Sequence, residues 1–262
     1  HGSGDRSIGF KPSAGAFDLV LFSGPKTRDR FVDAGYLKPG QAAIVGYPKF
    51  DTVRPDAVRR FFDNDRPTVL YNPNPDPRLS SFYDMGLSVL EHFHASDRYN
   101  LIFAPHIMLF RRKVHISLES LSARIRPAIP DRFRQCPHIL IDTDSPALMD
   151  MTYTLSADVY LGDVSSQVYE FILKPRPCVF LDAHGASWRD NPDYLFWTMG
   201  PVVSDVADLD PAIDRAKSLR YQHRQLEMLA QTFDITDEPG SRRAARAIGE
   251  FIENTPPRRM AG

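Results

Sequence analysis

The chain has 262 residues, 42% of them hydrophobic and 25% charged, with a formal net charge of −1. That balance suits an ordinary globular protein of one large or two small domains, and near-neutrality removes any bulk electrostatic reason to expect nucleic acid as a partner. The two cysteines, Cys136 and Cys178, lie far apart, no apolar run reaches the ~20 residues of a membrane span and no signal peptide is visible, so a cytoplasmic protein is expected.

Taken in order, the elements alternate. "FDLVLFS" (17–23) reads as a buried strand, followed by a helix "KTRDRFVDAG" ending at Gly35 and a second strand "AAIVG" (42–46). A short helix is expected from Asp56 to Phe62, within a charged, Pro-containing stretch (52–67) that makes the best domain boundary. Strand "TVLY" (68–71) then runs into the polar loop "NPNPDP", and apolar spacing in "LSSFYDMGLSVLEHF" predicts a helix. "YNLIFAPH" (99–106) is a strand, with a helix expected around 109–122 and a strand at "HILID" (138–142). Ser145-Pro146 has the form of an N-cap and first helical position for "ALMDMTYTL". Strand 158–161, helix 166–173, strand 177–181 and strand "PVVSD" (201–205) follow, and residues 208–254 predict two or three amphipathic helices, one capped at Gly240-Ser241. The basic clusters "FRRK" (110–113) and "SRRAAR" (241–246) read as solvated helix faces. Nearly continuous apolar strands alternating with helices predict a parallel sheet covered on both faces.

In such a sheet, ligands bind at the carboxyl ends of the strands. Four polar clusters fall there: "NPNPDP", "APH", "DTDS" and "GDVSS". Ser165 and Ser166 can cap the helix that follows, or hold a phosphate against its unpaired N–H groups. Glu170 lies one turn further on, within reach of ribose hydroxyls. His106 can donate to a phosphate or act as acid and base. Asn72 and Asn74 form a loop that is either a turn or the lip of a pocket. Asp5, Asp163 and Asp182 are candidates for binding substrate hydroxyls. There is no GxGxxG, GxxxxGK[ST] or GxSxG motif, no DxD-type pair that calls for Mg²⁺ and no HExxH-like spacing of histidines. No cofactor and no metal are expected.

In this order, "HGSGD" (1–5), "FDLVLFS", "GYPKFD" (46–51), "VLYNPNPD" (69–76), "APH" (104–106), "GDVSSQVYEF" (162–171) and "PCVFLD" (177–182) resemble the CDP-glycerol glycerophosphotransferase family of teichoic-acid and capsule polymerases. The resemblance implies a glycosyltransferase-B-like α/β fold related to UDP-N-acetylglucosamine 2-epimerases, with Rossmann-like parallel sheets and a truncated N-terminal half. Residues 1–58 would be the remainder of an N-terminal acceptor domain, and 59–262 a donor-binding domain with C-terminal helices. It further implies His1 as base on the acceptor hydroxyl and His106 stabilising the diphosphate. Asn72, Asn74, Ser165 and Ser166 would bind nucleotide and phosphate, with Glu170 toward the ribose. The implied partners are a nucleotide-activated donor and a glycan, lipid-linked or polyol-phosphate acceptor, with peripheral association of the full-length protein with the inner membrane. A UDP-sugar glycosyltransferase or epimerase, and a non-catalytic nucleotide-binding module, stand as alternatives. His1 is either native or the scar of a purification tag.

Overall fold

The computed structural model describes residues 4–6, 9–53, 58–117 and 122–254. In chain order the elements are β1 (Val20–Phe22), α1 (Pro25–Asp33), β2 (Ala42–Ile44), β3 (Thr68–Asn72), α2 (Gly86–Ala95), β4 (Asn100–Phe103) and α3 (Met108–Arg111). They continue with β5 (Val114–Ser117), β6 (Ser122–Ile125), α4 (Asp131–Arg134), β7 (Ile139–Ile141), α5 (Thr152–Ser156), β8 (Val159–Gly162) and α6 (Gln167–Phe171). The last are β9 (Cys178–Leu181), β10 (Val202–Val203), α7 (Leu209–Ala216), α8 (Leu219–Thr232) and α9 (Gly240–Asn254). Among the described residues, no helix is long and apolar enough to cross a membrane.

The chain divides into two compact units, His1–Arg54 with Glu227–Gly262, and Pro55–Leu226. Sequence alone divides it at 58/59 and keeps the tail with the second domain; the compact units group the tail with the N-terminal segment. In that first unit, β1 and β2 pair in parallel and α1 connects them. Pro25 opens α1 with a pre-set φ, and Gly35, at φ +69°, closes it where a side chain would be strained. Phe31 of α1 packs with Phe22, Leu37, Phe10 and Tyr36. The start of α9 is held from 189 residues away: the backbone N–H groups of Gly240 and Ser241 donate to the two oxygens of Asp51 at 2.9 and 2.6 Å. Hydrogen bonds from Ser241 hold the Asp51 carboxyl below its usual range. The expected local cap at Gly240-Ser241 is therefore completed by a distant carboxylate, which also meets the positive end of the helix dipole.

The second unit is a six-stranded, all-parallel sheet in the order β10-β9-β8-β3-β4-β7. β3, β4, β8 and β9 are buried along almost their whole length, as strands covered on both faces must be. Val69, Tyr71, Leu101, Phe103, Leu161 and Val179 share one face with Val89, Leu90 and Phe93 of α2 and Leu209, Ala212 and Ile213 of α7. On the other, Tyr160, Phe171, Phe180 and Trp197 stack in series. The chain steps outward from β3 through β4 to β7, then returns to β8 and steps the opposite way. The first strands of the two runs, β3 and β8, are neighbours (Val69 opposite Val159, Asn72 opposite Gly162). Their carboxyl ends diverge into opposite layers and leave a crevice.

Two local expectations are corrected. The helix predicted around 109–122 stops at Arg111, and the chain turns into the antiparallel pair β5/β6, with Val114 opposite Ile125 and His115 opposite Arg124. The apolar residues of "VHIS" alternate with a period of two, and Arg124 finds a bidentate partner in Asp84 at 2.6 and 2.7 Å that a helix would not have offered. The helix predicted from Asp56 to Phe62 lies partly outside the described residues, and 58–62 are not helical.

One half-buried arginine braces the layer beneath β8. The Arg176 guanidinium donates to the carbonyls of Thr154 (2.8 Å), Leu155 (3.3 Å), Ala157, Phe171 (2.6 Å) and Lys174 (3.1 Å), and lies 3.9 Å from the Phe171 ring centroid. Burial pulls its pKa down to about 10, still charged at neutral pH. These carbonyls are orphaned at the ends of the short helices α5 and α6, and the planar fork reaches both ends at once. Arg176→Ala should lower unfolding stability by about 3 kcal/mol. Arg176→Lys, which keeps the charge but not the fork, should recover less than half of it in urea titrations.

Candidate functional site

The crevice between β3 and β8 is organised by Asp163, which follows β8 and is only 1% exposed. Its Oδ1 accepts from the backbone N–H of Asn74 (2.9 Å) and of Val164 (2.6 Å), and its Oδ2 from the backbone N–H (2.6 Å) and hydroxyl (2.8 Å) of Ser81. The Ser81 hydroxyl in turn lies 2.8 Å from that of Tyr71. Burial pushes the Asp163 carboxyl up to about 6, against the pull of its N–H donors. A charge removed from water persists only when hydrogen-bonded, so the donors and the acid fix one another.

The same edge is fastened at other points. Asn72, 2% exposed, donates from Nδ2 to Ala104 O at 2.7 Å, and its Oδ1 accepts from Ser165 Oγ at 2.9 Å and Tyr160 OH at 3.3 Å. Asn74 Nδ2 donates to Val164 O, and its Oδ1 accepts from Asp76 N at 2.8 Å. His106 N donates to Pro73 O at 3.0 Å. Loops following β3, β4 and β8 thus form one network, and His184 Nε2 reaches Ser80 O at 3.1 Å from the loop after β9.

Sequence reasoning treated the two serines alike, and the structure separates them. Ser165 is buried, donating to Asn72 and accepting from Gln167 N at 3.3 Å, which is a capping contact. Ser166 is exposed and its side chain makes no capping hydrogen bond. Capping and presentation of a hydroxyl are thus divided between neighbours. Glu170, 7% exposed, lies in α6 one turn beyond. His106 is half-buried just past β4; its Nδ1 accepts from Met108 N at 3.3 Å, which leaves the proton on Nε2, and burial lowers its pKa.

The remaining candidates lie elsewhere or are committed. Asp182, 9% exposed, closes its own turn by accepting from His184 N (3.2 Å) and Ala186 N (3.0 Å). Asp5 belongs to the first unit, where Lys26 Nζ donates to its carboxylate at 2.6 Å. His1 lies outside the described residues. Sequence reasoning missed Ser81, which it placed within a helix, and Tyr153. Tyr153 OH donates to Asp142 Oδ2 at 2.7 Å beside a small cleft also walled by Asn72, Ala104, Leu148 and Gln167. Burial opposes the charge on Asp142, but hydrogen bonds from Ser145 and Tyr153 hold its carboxyl below the usual range. Asp142 was legible as part of the strand-end cluster "DTDS", and Ser145 does cap, accepting from Ala147 N at 3.2 Å.

Asp163→Asn offers one oxygen and an unwanted NH2 to donors that now find two oxygens, so stability should fall by about 2–3 kcal/mol. The folded-state pKa of Asp163 lies above the unfolded value, so the folded state binds the extra proton. This group's contribution is therefore present below the unfolded pKa and lost as pH rises through about 6. Urea midpoints taken on both sides of that window should show a wider gap between wild type and variant on the acid side.

No family model matches the sequence, and no curated protein matches it. Solved structures do. The wall teichoic acid polymerase TagF aligns with a TM-score of 0.61 at 13% identity, covering 94% of this chain and 60% of that one. A TagF variant soaked with CDPG gives 0.60 at 14%, with coverage of 94% and 60%. The calicheamicin glycosyltransferase CalG4 gives 0.56 at 15%, covering 92% and 55%, and a Listeria monocytogenes protein assigned as a UDP-N-acetylglucosamine 2-epimerase gives 0.56 at 12%, covering 93% and 62%. The chain spans about three fifths of the TagF length. The likeness is one of fold, and the fold is the glycosyltransferase-B-like α/β architecture that the motifs implied.

Proposed function

We propose that the β3/β8 crevice binds a nucleoside diphosphate donor. In this reading the chain belongs to a transferase that moves glycerophosphate or a related group from a CDP-linked donor to a hydroxyl acceptor in bacterial surface-polymer synthesis. The observation that carries the reading is the fastening of the β3, β4 and β8 loops into one network at the topological switch point, with Ser166 exposed and His106 half-buried at its rim. A preorganised edge of this kind supplies positioned donors without a reorganisation cost during reaction.

The step is an in-line displacement. The acceptor oxygen attacks the distal phosphorus, the bond from that phosphorus to the bridging oxygen breaks, and CMP leaves. The acceptor's proton passes to a base, a role the family resemblance assigns to His1. His106, neutral with its proton on Nε2, donates to the diphosphate as negative charge grows on the leaving oxygen. Ser166 donates to a phosphate oxygen, and Glu170 accepts from the ribose. A second reading, transfer of a sugar from a UDP-linked donor in the same crevice, is consistent with the likeness of fold to the glycosyltransferase CalG4 and to the protein assigned as a UDP-N-acetylglucosamine 2-epimerase.

Calorimetry separates the readings. CDP-glycerol and CMP should bind at least about tenfold tighter than UDP or UDP-N-acetylglucosamine, and the reverse order selects the sugar donor. Absence of binding by all four at millimolar concentration removes the nucleotide site. Ser166→Ala should weaken CDP-glycerol binding by about tenfold. In an assay of CMP release on a chain that also carries the acceptor half, His106→Ala should lower kcat by about 10²-fold; unchanged turnover takes His106 out of the chemistry, and binding without any release leaves a module and no enzyme.

A further inference from the structure

Away from the crevice, the second unit contains a depression of about 640 Å³, within the roughly 300–1,000 Å³ typical of small-molecule sites. It is lined by Trp188, Arg189, Trp197, Arg215, Arg220 and Tyr221, around the first residues of edge strand β10. The floor is firm. A Cβ on Gly200 would lie 1.9 Å from Cys178 O, so this backbone can pass against β9 only as glycine. Trp197 is 2% exposed and its Nε1 donates to Asp163 O at 2.9 Å, while Trp188 meets it edge-on at a centroid distance of 5.9 Å. Thr198, another lining residue, accepts from Arg224 Nε at 2.9 Å.

The charge in the depression is unbalanced. Arg98, Arg124, Arg132, Arg243 and Arg246 each pair with a carboxylate. Arg189, Arg215 and Arg220 pair with none among the described residues, and Asp190 is the one carboxylate in the lining. Instead, the Arg189 guanidinium lies 4.6 Å from the Trp188 ring centroid and that of Arg220 lies 6.0 Å from Tyr221. Three arginines and one carboxylate among the lining residues, beside two aromatic walls, suit a ligand with a phosphate at one end and an organic body at the other. The fork geometry of arginine matches phosphate oxygens, and the rings take up carbon surface.

We propose that this depression is a second ligand site, one that binds an organic phosphate monoester, with the phosphate on Arg189, Arg215 and Arg220 and the organic part against Trp188 and Tyr221. It meets the donor crevice through the Trp197–Asp163 contact, has its own lining residues, and does not rest on that reading. Helix α7 runs back from the carboxyl end of β10, so Arg215 in its last turn and Arg220 in the first turn of α8 arrive at the amino end of the sheet edge. The crevice opens at the carboxyl ends of β3 and β8. The ester can belong to a soluble sugar phosphate or to a lipid headgroup, which share this chemistry.

The chain's two tryptophans both line the depression, so intrinsic fluorescence reports on it directly. Glucose 1-phosphate should give a saturable change with a Kd of about 1 mM or tighter, and glucose should give none. Arg215→Gln/Arg220→Gln, and independently Arg189→Gln, should weaken the binding by about tenfold, with melting temperatures confirming the fold. Co-sedimentation with phosphatidylcholine vesicles containing phosphatidic acid, compared with pure phosphatidylcholine, tests the other source. Binding to the sugar phosphate assigns a soluble ligand, and binding to the phosphatidic acid vesicles alone assigns a lipid headgroup. The proposal is overturned if neither binds, if the arginine variants bind as tightly as wild type, or if inorganic phosphate binds as tightly as the ester.

Discussion

The second unit depends on a carboxylate that has been taken out of water. Asp163 is buried at the end of β8, and burying an ion without partners would cost several kcal/mol. Its two oxygens are satisfied only if the chain after β3 returns twice, at Asn74 and at Ser81. The loop after β3 is therefore closed by the needs of β8, and the Ser81 hydroxyl carries the constraint on to Tyr71 inside the sheet. A crevice that Rossmann-like topology merely permits becomes one of defined shape. The carbonyl of Asp163 also holds Trp197, so the residue that shapes the crevice also anchors a wall of the depression at the sheet edge.

The constraint decides what the neighbouring serines can do. Helix α6 has only five residues, Gln167–Phe171, so its dipole is small and its first turn is nearly its whole length. A helix this short offers little anion affinity of its own. The donors that the proposed site would use sit singly on separate loops, and the hydrogen bonds that tie those loops together hold them in place. Ser165 is spent on that tying, through Asn72, whereas Ser166 remains at the surface. Of a chemically identical pair, one is built into the loop network and the other stays open to solvent.

The strands of the second unit were readable because burial on both faces demands unbroken apolar runs, and such runs survive any detail of packing. β5 and β6 were not, since "FRRKVHISLES" contains apolar residues at both helical and alternating spacing, and the Arg124–Asp84 pair favours the hairpin. The cap of α9 was half readable: Gly240-Ser241 announces a helix start, but nothing near it in sequence points to Asp51. At the candidate site, strand-end position identified Asn72, Asn74, His106, Ser165 and Ser166 as one group. It could not distinguish side chains left at the surface from network members, because that depends on which loop each polar atom meets. Asp163 shows the difference most clearly. It was read as a group for substrate hydroxyls, and its oxygens are occupied by the protein's own donors.

Arginine shows why a charge total says little about partners. Arg176 is enclosed by carbonyls and serves packing, and Arg98 and Arg124 face carboxylates, as surface arginines commonly do. In all three the charge is answered within the chain. Arg189, Arg215 and Arg220 belong to the same nearly neutral sequence, yet they line one depression in which Asp190 is the one lining carboxylate. Self-repulsion among three cations opposes their assembly, and the aromatic rings beside Arg189 and Arg220 offset part of it. Near-neutrality overall does argue against a polyanion spread across the surface. It does not argue against one phosphate in one depression, because an ion in a partly enclosed site responds to the groups within about one Debye length and not to the sum over 262 residues.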